Sequence, residues 1–341
     1  MTARERIQST GIRRSGGPRN GFRYLRARGG SVSAAELRRI AGLRIPSQWT
    51  QVSIALAPRA AVQAVGKDAA GRWQYLYRAG HMTRRSVDKF KRLLVFARAL
   101  PALRRALKRD LLLPGLPRDK ALACAVAVIA TCFVRAGSEE YAEENGSFGL
   151  ATLRRGHVTV KGGRIRFDYP GKHGLRQRHE IASRRLAAIV ADMLREPGAE
   201  VFKYRKKSGR VFDVSRWQLN QYVKRVMGRR FSAKDFRTWA GTWICAGALS
   251  RRRRTANDDG SREKVIVEAV REAAVYLGNT ERVCRRSYVH PGVLVAFEKG
   301  RTVARGLPLP EDVLARGGTG LDRFERALLD LLEDSRSRPK R

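Results

Sequence analysis

Acidic residues are scarce in this chain: 31 Asp plus Glu stand against 71 Lys plus Arg in 341 residues, a formal charge of +40. No ordinary metabolic reaction needs such an imbalance, and it points to a polyanionic partner. Cysteine is rarer still. Cys124, Cys132, Cys245 and Cys284 lie far apart, with no CxxC pair and no His at ligand spacing, which excludes a disulfide framework and a zinc site. The longest apolar run, residues 121–134 (ALACAVAVIATCFV), has 14 residues and falls short of the ~20 that span a bilayer, so it reads as a buried helix. The first thirty residues hold no apolar core for a signal peptide. A cytoplasmic, reducing setting without a membrane is the expectation. Lysine is sparse too, with 15 Lys to 56 Arg. GC-rich coding accounts for most of that ratio, but not for the dearth of acids. No repeat of 20 to 50 residues occurs.

What is present is enough to fold: 43% of residues are hydrophobic, and the length suits about two domains. Residues 1–30, rich in Arg, Gly and Ser, read as a flexible basic arm. Residues 31–82 read as a small antiparallel β-sheet domain, with a helix at SAAELRRIAGL and strand runs WTQVSIAL, 60–65 and GRWQYLYR. Helical periodicity then dominates 83–312. SVDKFKRLLVFARAL precedes Pro101, ALRRALKRDLLL follows it, and the buried helix comes after Pro117. One interruption, HVTV, RIRFDY and LRQRHEI joined by KGG and PGKHG, predicts a three-stranded meander with Lys172 at a hairpin tip. Later helices end at Gly278, just past SREKVIVEAVREAAVYL. RRRRTANDDGS reads as a mobile loop, and 313–341 as a last helix, from 322 to 332, and a charged tail. The fold class is α+β.

Arg135, Lys172, Arg237, Asn279 and Tyr288 are the right types, in order, for breaking a phosphodiester without a metal. Their contexts FVRAGSEEY, PGKHG, AKDFRTWAGT and LGNTERVCRRSYVHP, with RRGHV, NGSFGLATL, IPSQWTQV and GRWQYLYR, resemble the type IB DNA topoisomerases of the compact bacterial and poxvirus kind, over roughly residues 25 to 310.

That resemblance implies a role for each residue. Tyr288 is the nucleophile that forms a 3′-phosphotyrosyl enzyme, and storing the bond energy there makes ATP unnecessary. Arg135 and Arg237 neutralise the nonbridging oxygens. Lys172 is the general acid toward the departing 5′-oxygen, assisted by Lys234. Asn279 departs from the His usual in poxvirus and cellular members; its amide donates a hydrogen bond but adds no charge. Gln74, Tyr75 and Tyr77, with Tyr141, are DNA contacts by the same resemblance. Strand alternation sets Tyr75 and Tyr77 on one face and Gln74 on the other. No cofactor or metal is implied. The partner is double-stranded DNA, held by a monomeric two-domain clamp in the nucleoid.

Blander readings compete. Glu139, Glu140, Glu143 and Glu144 read as a solvated segment, and Trp239 and Trp243 as core. Arg251 to Arg254 read equally as a solvated run or as phosphate contacts. Tyrosine recombinases share the chemistry but carry His-x-x-Arg where this chain has Lys234-Asp235-Phe236-Arg237. An architectural DNA binder explains the charge but leaves the ordered Arg, Lys, Arg and Tyr set unused.

Overall fold

The computed structural model describes residues 1–69, 71–255, 258–303 and 318–334, without the side chains of 79–87, Tyr141, His173 and Asp259. The chain divides into two compact units, Met1–Lys89 and Phe90–Arg341.

In the first unit, residues 1–30 are ordered structure, which corrects the expectation of a flexible arm. Helix α1 (Ala3–Thr10) opens with a Thr2–Glu5 capping box, and β1 (Ile12–Gly17) and β2 (Gly21–Arg26) form a hairpin. Then come α2 (Ala34–Gly42), β3 (Thr50–Ile54), β4 (Val62–Lys67) and β5 (Trp73–Tyr77), in one antiparallel sheet of order β2-β1-β3-β4-β5. The arm folds because Ile12 is fully buried with Ile40, Val52, Ile54 and Ala64 on one face, while Ile7 joins Ala55 and Val65 in a second cluster. A few well-placed apolar residues outweigh the Arg and Gly around them.

Helix α3 (Ala79–Asp110) runs from the first unit into the second, so the unit boundary falls at 89/90 rather than 82/83. Pro101 lies inside it, correcting the expected break. Its ring removes one backbone donor and costs the helix stability, which burial of Leu93, Leu94, Phe96, Ala97, Leu100 and Leu103 on either side offsets.

The second unit has one large core around α4 (Arg118–Cys132), whose residues 121–132 are all buried, and α8 (Ala233–Arg251). Around them lie α5 (Glu139–Asn145), the antiparallel meander of β6 (Val158–Lys161), β7 (Arg164–Pro170) and β8 (Arg176–Ala182), and α6 (Arg184–Arg195). A short hairpin, β9 (Lys203–Arg205) and β10 (Val211–Asp213), was not foreseen. It leads to α7 (Arg216–Met227), and beyond α8 come α9 (Asp259–Tyr276), α10 (Glu281–Ser287), α11 (Pro291–Glu298) and α12 (Arg323–Asp334). The expected loop at RRRRTANDDGS is partly helical. Arg251 still belongs to α8, residues 253–255 make a 3₁₀ turn, and Arg251 and Arg252 pair with Glu272, while 256 and 257 lie outside the described residues. Trp239 and Trp243 are core, and the four cysteines are buried thiols outside any disulfide. Among the described residues no helix is long and apolar enough to cross a membrane.

Candidate active site

Two helix ends meet at the site. Phe133 follows α4 in the left-handed conformation (φ +52°), a strained choice for a bulky residue that a packed surround must hold. The chain then passes Arg135, whose carbonyl accepts from Leu150 N–H at 2.8 Å, while Ala136 accepts from Ala151 at 2.9 Å. Glycine permits this backbone crossing, since a Cβ at Gly149 would stand 2.5 Å from Gly137 and 2.7 Å from the Arg135 carbonyl. The expected FVRAG and FGLA segments are thus two halves of one bracket.

The other end is the Leu-Gly-Asn-Thr turn. Gly278 (φ +57°) donates to Val275 O at 3.0 Å and Asn279 to Ala274 O at 2.9 Å, the paired bonds of a Schellman ending. Thr280 immediately caps α10, with its hydroxyl accepting from Val283 N–H, and Tyr288 stands at the far end of that helix. Asn279 and Tyr288 therefore sit at opposite ends of one short helix.

Arg237, on the second turn of α8, joins the two ends. It is 4% exposed; Nη1 donates to Phe133 O and Nη2 to Leu277 O, both at 2.6 Å. Its guanidinium carbon lies 5.2 Å from the centre of the Tyr288 ring. Arg135 donates through Nη2 to Asn279 Oδ1 at 2.8 Å and to Gly278 O at 3.2 Å. Burial first, and the nearby Arg237 charge second, hold the Arg135 guanidinium down at about 10, so it stays cationic at neutral pH. Two donors in this cluster, Arg237 Nε and Asn279 Nδ2, are buried with no hydrogen-bond partner among the described residues. Buried donors are normally satisfied, and a ligand rich in acceptor oxygens suits such a cluster.

Two tyrosines adjoin these arginines. Tyr169, in β7, is 2% exposed and its phenol is pushed up by burial, against the pull of Arg237 and Arg135. Tyr288 is only partly buried, so of the two it is the one open to solvent. Its backbone is fixed from α8: a Cβ at Gly241 would meet the Tyr288 carbonyl at 2.7 Å, and Thr242 Oγ1 lies 3.2 Å from that oxygen while accepting from His290 N–H at 3.0 Å.

The structure brings together Arg135, Arg237, Asn279 and Tyr288. Lys172 lies, exposed, on the 3₁₀ turn between β7 and β8, closed by Gly171 N–H donating to Leu175 O at 2.9 Å. Lys234 is exposed on the first turn of α8, next to Asp235, which caps that helix at Ser232 and pairs with Arg92 at 2.8 Å. Gln74, Tyr75 and Tyr77 belong to the first unit. The two tyrosine rings stack at 6.5 Å, and Gln74 donates to Asp68 at 2.8 Å. The backbone of Tyr141 is in α5, but its side chain lies outside the described residues.

Sequence reasoning missed Gly241, Thr242, Gln177 and His179. Gln177 packs where a Cβ of Gly278 would fall, 2.8 Å from its Nε2, and His179 lines a cleft of about 390 Å³ beside Tyr276 with its Nε2 buried and unpaired among the described residues. A glycine inside a helix signals a close approach; a lone histidine on a strand carries no such signal.

A helical body with two converging arginines and a tyrosine at a helix end is an arrangement suited to binding a phosphodiester. Residues 79–299 match the family model for the eukaryotic DNA topoisomerase I catalytic core, and residues 21–68 that for the bacterial DNA topoisomerase IB N-terminal domain. The chain is 32% identical over 264 residues to DNA topoisomerase 1B of Acanthamoeba polyphaga mimivirus, covering 76% of this chain and 79% of the viral one. It is 24% identical over 237 residues to DNA topoisomerase I of Monkeypox virus and to DNA topoisomerase 1B of Vaccinia virus, covering 67% of this chain and 70% of each relative. The chain belongs to the type IB DNA topoisomerases, isomerases that act on DNA.

Proposed function

We propose that the protein relaxes supercoiled duplex DNA, as a monomer associated with the nucleoid, by transient cleavage of one strand through a 3′-phosphotyrosyl intermediate. The observation that carries this reading is the convergence of Arg135, Arg237 and Asn279, with two unpaired buried donors among the described residues, beside the partly buried Tyr288.

The Tyr288 phenol loses its proton to solvent, and its oxygen bonds to the scissile phosphorus as the bond to the 5′-oxygen breaks. Arg135, Arg237 and the Asn279 amide stabilise the charge that grows on the nonbridging oxygens, a contribution of several kcal/mol in a water-poor site. Lys172, with Lys234 assisting, delivers a proton to the departing 5′-oxygen. Religation is the reverse. One phosphodiester replaces another at each step, so no ATP is consumed, and the arginines supply the positive charge that a metal would otherwise bring. Gln74, Tyr75, Tyr77 and Tyr141 contact the duplex. Incubation with a supercoiled plasmid in EDTA without ATP tests the proposal. Stepwise relaxation is expected; a requirement for magnesium or ATP, or an unchanged plasmid, overturns it.

A further inference from the structure

The β9–β10 hairpin has a buried base and an exposed, cationic tip. At the base, Lys203 Nζ donates to Pro197 O at 2.7 Å, and the rings of Tyr204 and Phe212 stack at 5.8 Å. The turn closes through Gly209 (φ +80°), with Lys206 N–H donating to Arg210 O at 2.9 Å. Lys206 Nζ stands 4.2 Å from the centre of the Phe212 ring and the Arg210 guanidinium carbon 5.5 Å. Cation–π attraction of about 0.5–1 kcal/mol at an exposed site biases both charges toward one ring instead of leaving them free to sweep through solvent.

Arg205 is answered by Glu196 at 2.6 Å, but Lys206, Lys207 and Arg210 form no ion pair among the described residues. The chain leads directly into α7, whose first residues, Arg216 and Trp217, are exposed. At 65% exposure Trp217 is the most exposed aromatic among the described residues. Gln218, capped on Ser215, lies with Nε2 3.3 Å from Tyr204 Oη, which ties this turn to the hairpin. The tip carries no acid; Asp213 is at the foot of its strand. Unpaired cations beside an exposed, rigid aromatic match a partner with repeating negative charge and flat faces, which is a nucleic acid.

We propose that the hairpin tip and the Arg216–Trp217 turn are a further duplex-DNA contact, used for affinity rather than for strand cleavage. Lys206, Lys207, Arg210 and Arg216 meet backbone phosphates, and Trp217 lies against a sugar or base edge. This rests on the DNA reading above and adds a surface to it.

The test compares the full-length protein with its Lys206→Ala/Lys207→Ala/Arg210→Ala and Trp217→Ala variants on a duplex that contains a cleavage site. Each phosphate contact contributes about −0.9 to the slope of log K against log salt, so the triple variant is expected to bind with a slope shallower by up to about 2.7. Trp217→Ala is expected to weaken binding with the slope kept. Single-turnover cleavage at saturating enzyme is expected to stay at the parent rate in both. An unchanged slope in the triple variant, with a parent that binds DNA in a salt-dependent way, overturns the proposal and leaves an acidic protein as the partner of this surface. A fall in saturated cleavage rate also overturns it, by moving the hairpin into the chemistry. A parent with no salt-dependent DNA binding instead overturns the DNA reading itself, and the two failures are thereby distinguished. All three tip residues are exposed, so thermal melting of the variants is expected to match the parent.

Discussion

Arg135 Nη2 donates to Asn279 Oδ1 at 2.8 Å, and this one bond decides which way the amide points. A guanidinium can only donate, so the amide oxygen must receive it and the NH₂ group is turned the other way, where it is buried and unpaired among the described residues. The amide at this position thus comes with its own orienting device. If the freed amide donates to a nonbridging oxygen that gains charge, its loss costs about 1.5 to 3 kcal/mol. Asn279→Ala is then expected to slow single-turnover cleavage by roughly 10- to 200-fold while equilibrium binding barely changes. Asn279→His is expected to remain active. Wild-type cleavage by the Ala variant would mean that Asn279 only ends α9.

Tyr288→Phe keeps the ring beside Arg237 and removes the phenolic oxygen. DNA binding is expected to persist while relaxation and the covalent band on a denaturing gel disappear. A 3′-linked adduct in that variant would transfer the nucleophile elsewhere. Tyr169 is the poor alternative, because burial pushes its phenol up.

Lys172→Ala is expected to slow cleavage by about 10² to 10⁴ fold, the usual span for loss of a general acid. A substrate with sulfur in place of the bridging 5′-oxygen needs no proton on its leaving group, and cleavage of it by the variant is expected to recover. If sulfur does not rescue the variant, Lys172 positions DNA and Lys234 becomes the better acid.

His179 gives a pH-dependent contribution to stability. Burial, and then the charge of Arg237, lower its imidazole from the ordinary 6.5 to about 4. Above about 6.5 the ring is neutral folded or unfolded, and the stability is fully present. Between about 6.5 and about 4 only the unfolded chain takes up the proton, so stability falls as pH falls. Urea unfolding across this window is expected to show a larger loss for the parent than for His179→Gln. Equal losses would show that the fold does not hold the ring neutral.

The meander was legible because period-two strands were separated by KGG and PGKHG, turns that few other structures accommodate. The cluster was legible only through order and context: nothing in the periodicity places Arg135 near Asn279, 144 positions away, since that contact depends on two helix endings meeting. The misreadings share a cause. In residues 1–30 and again in KYRKKSGRVFD, one or two buried residues, Ile12 in the first and Lys203 and Tyr204 in the second, fix strands whose other positions are mostly open to solvent. Composition averages over the very residues that decide. Pro101 misled for the opposite reason, as a strong local signal overruled by the core around it.

Arg237 holds the carbonyls that end α4 and α9, so the residue proposed to grip the scissile phosphate also fastens the scaffold. Selection therefore acts on it twice. A descendant that lost its nucleophile and survived as a mere binder of DNA would be under no chemical pressure at position 237, yet it would still be expected to keep arginine there, because any shorter or singly armed side chain would leave one of the two helices unfastened. The arginine would be a record of ancestry in the fold, whereas the tyrosine at 288, as the proposed nucleophile, would be a record of present use.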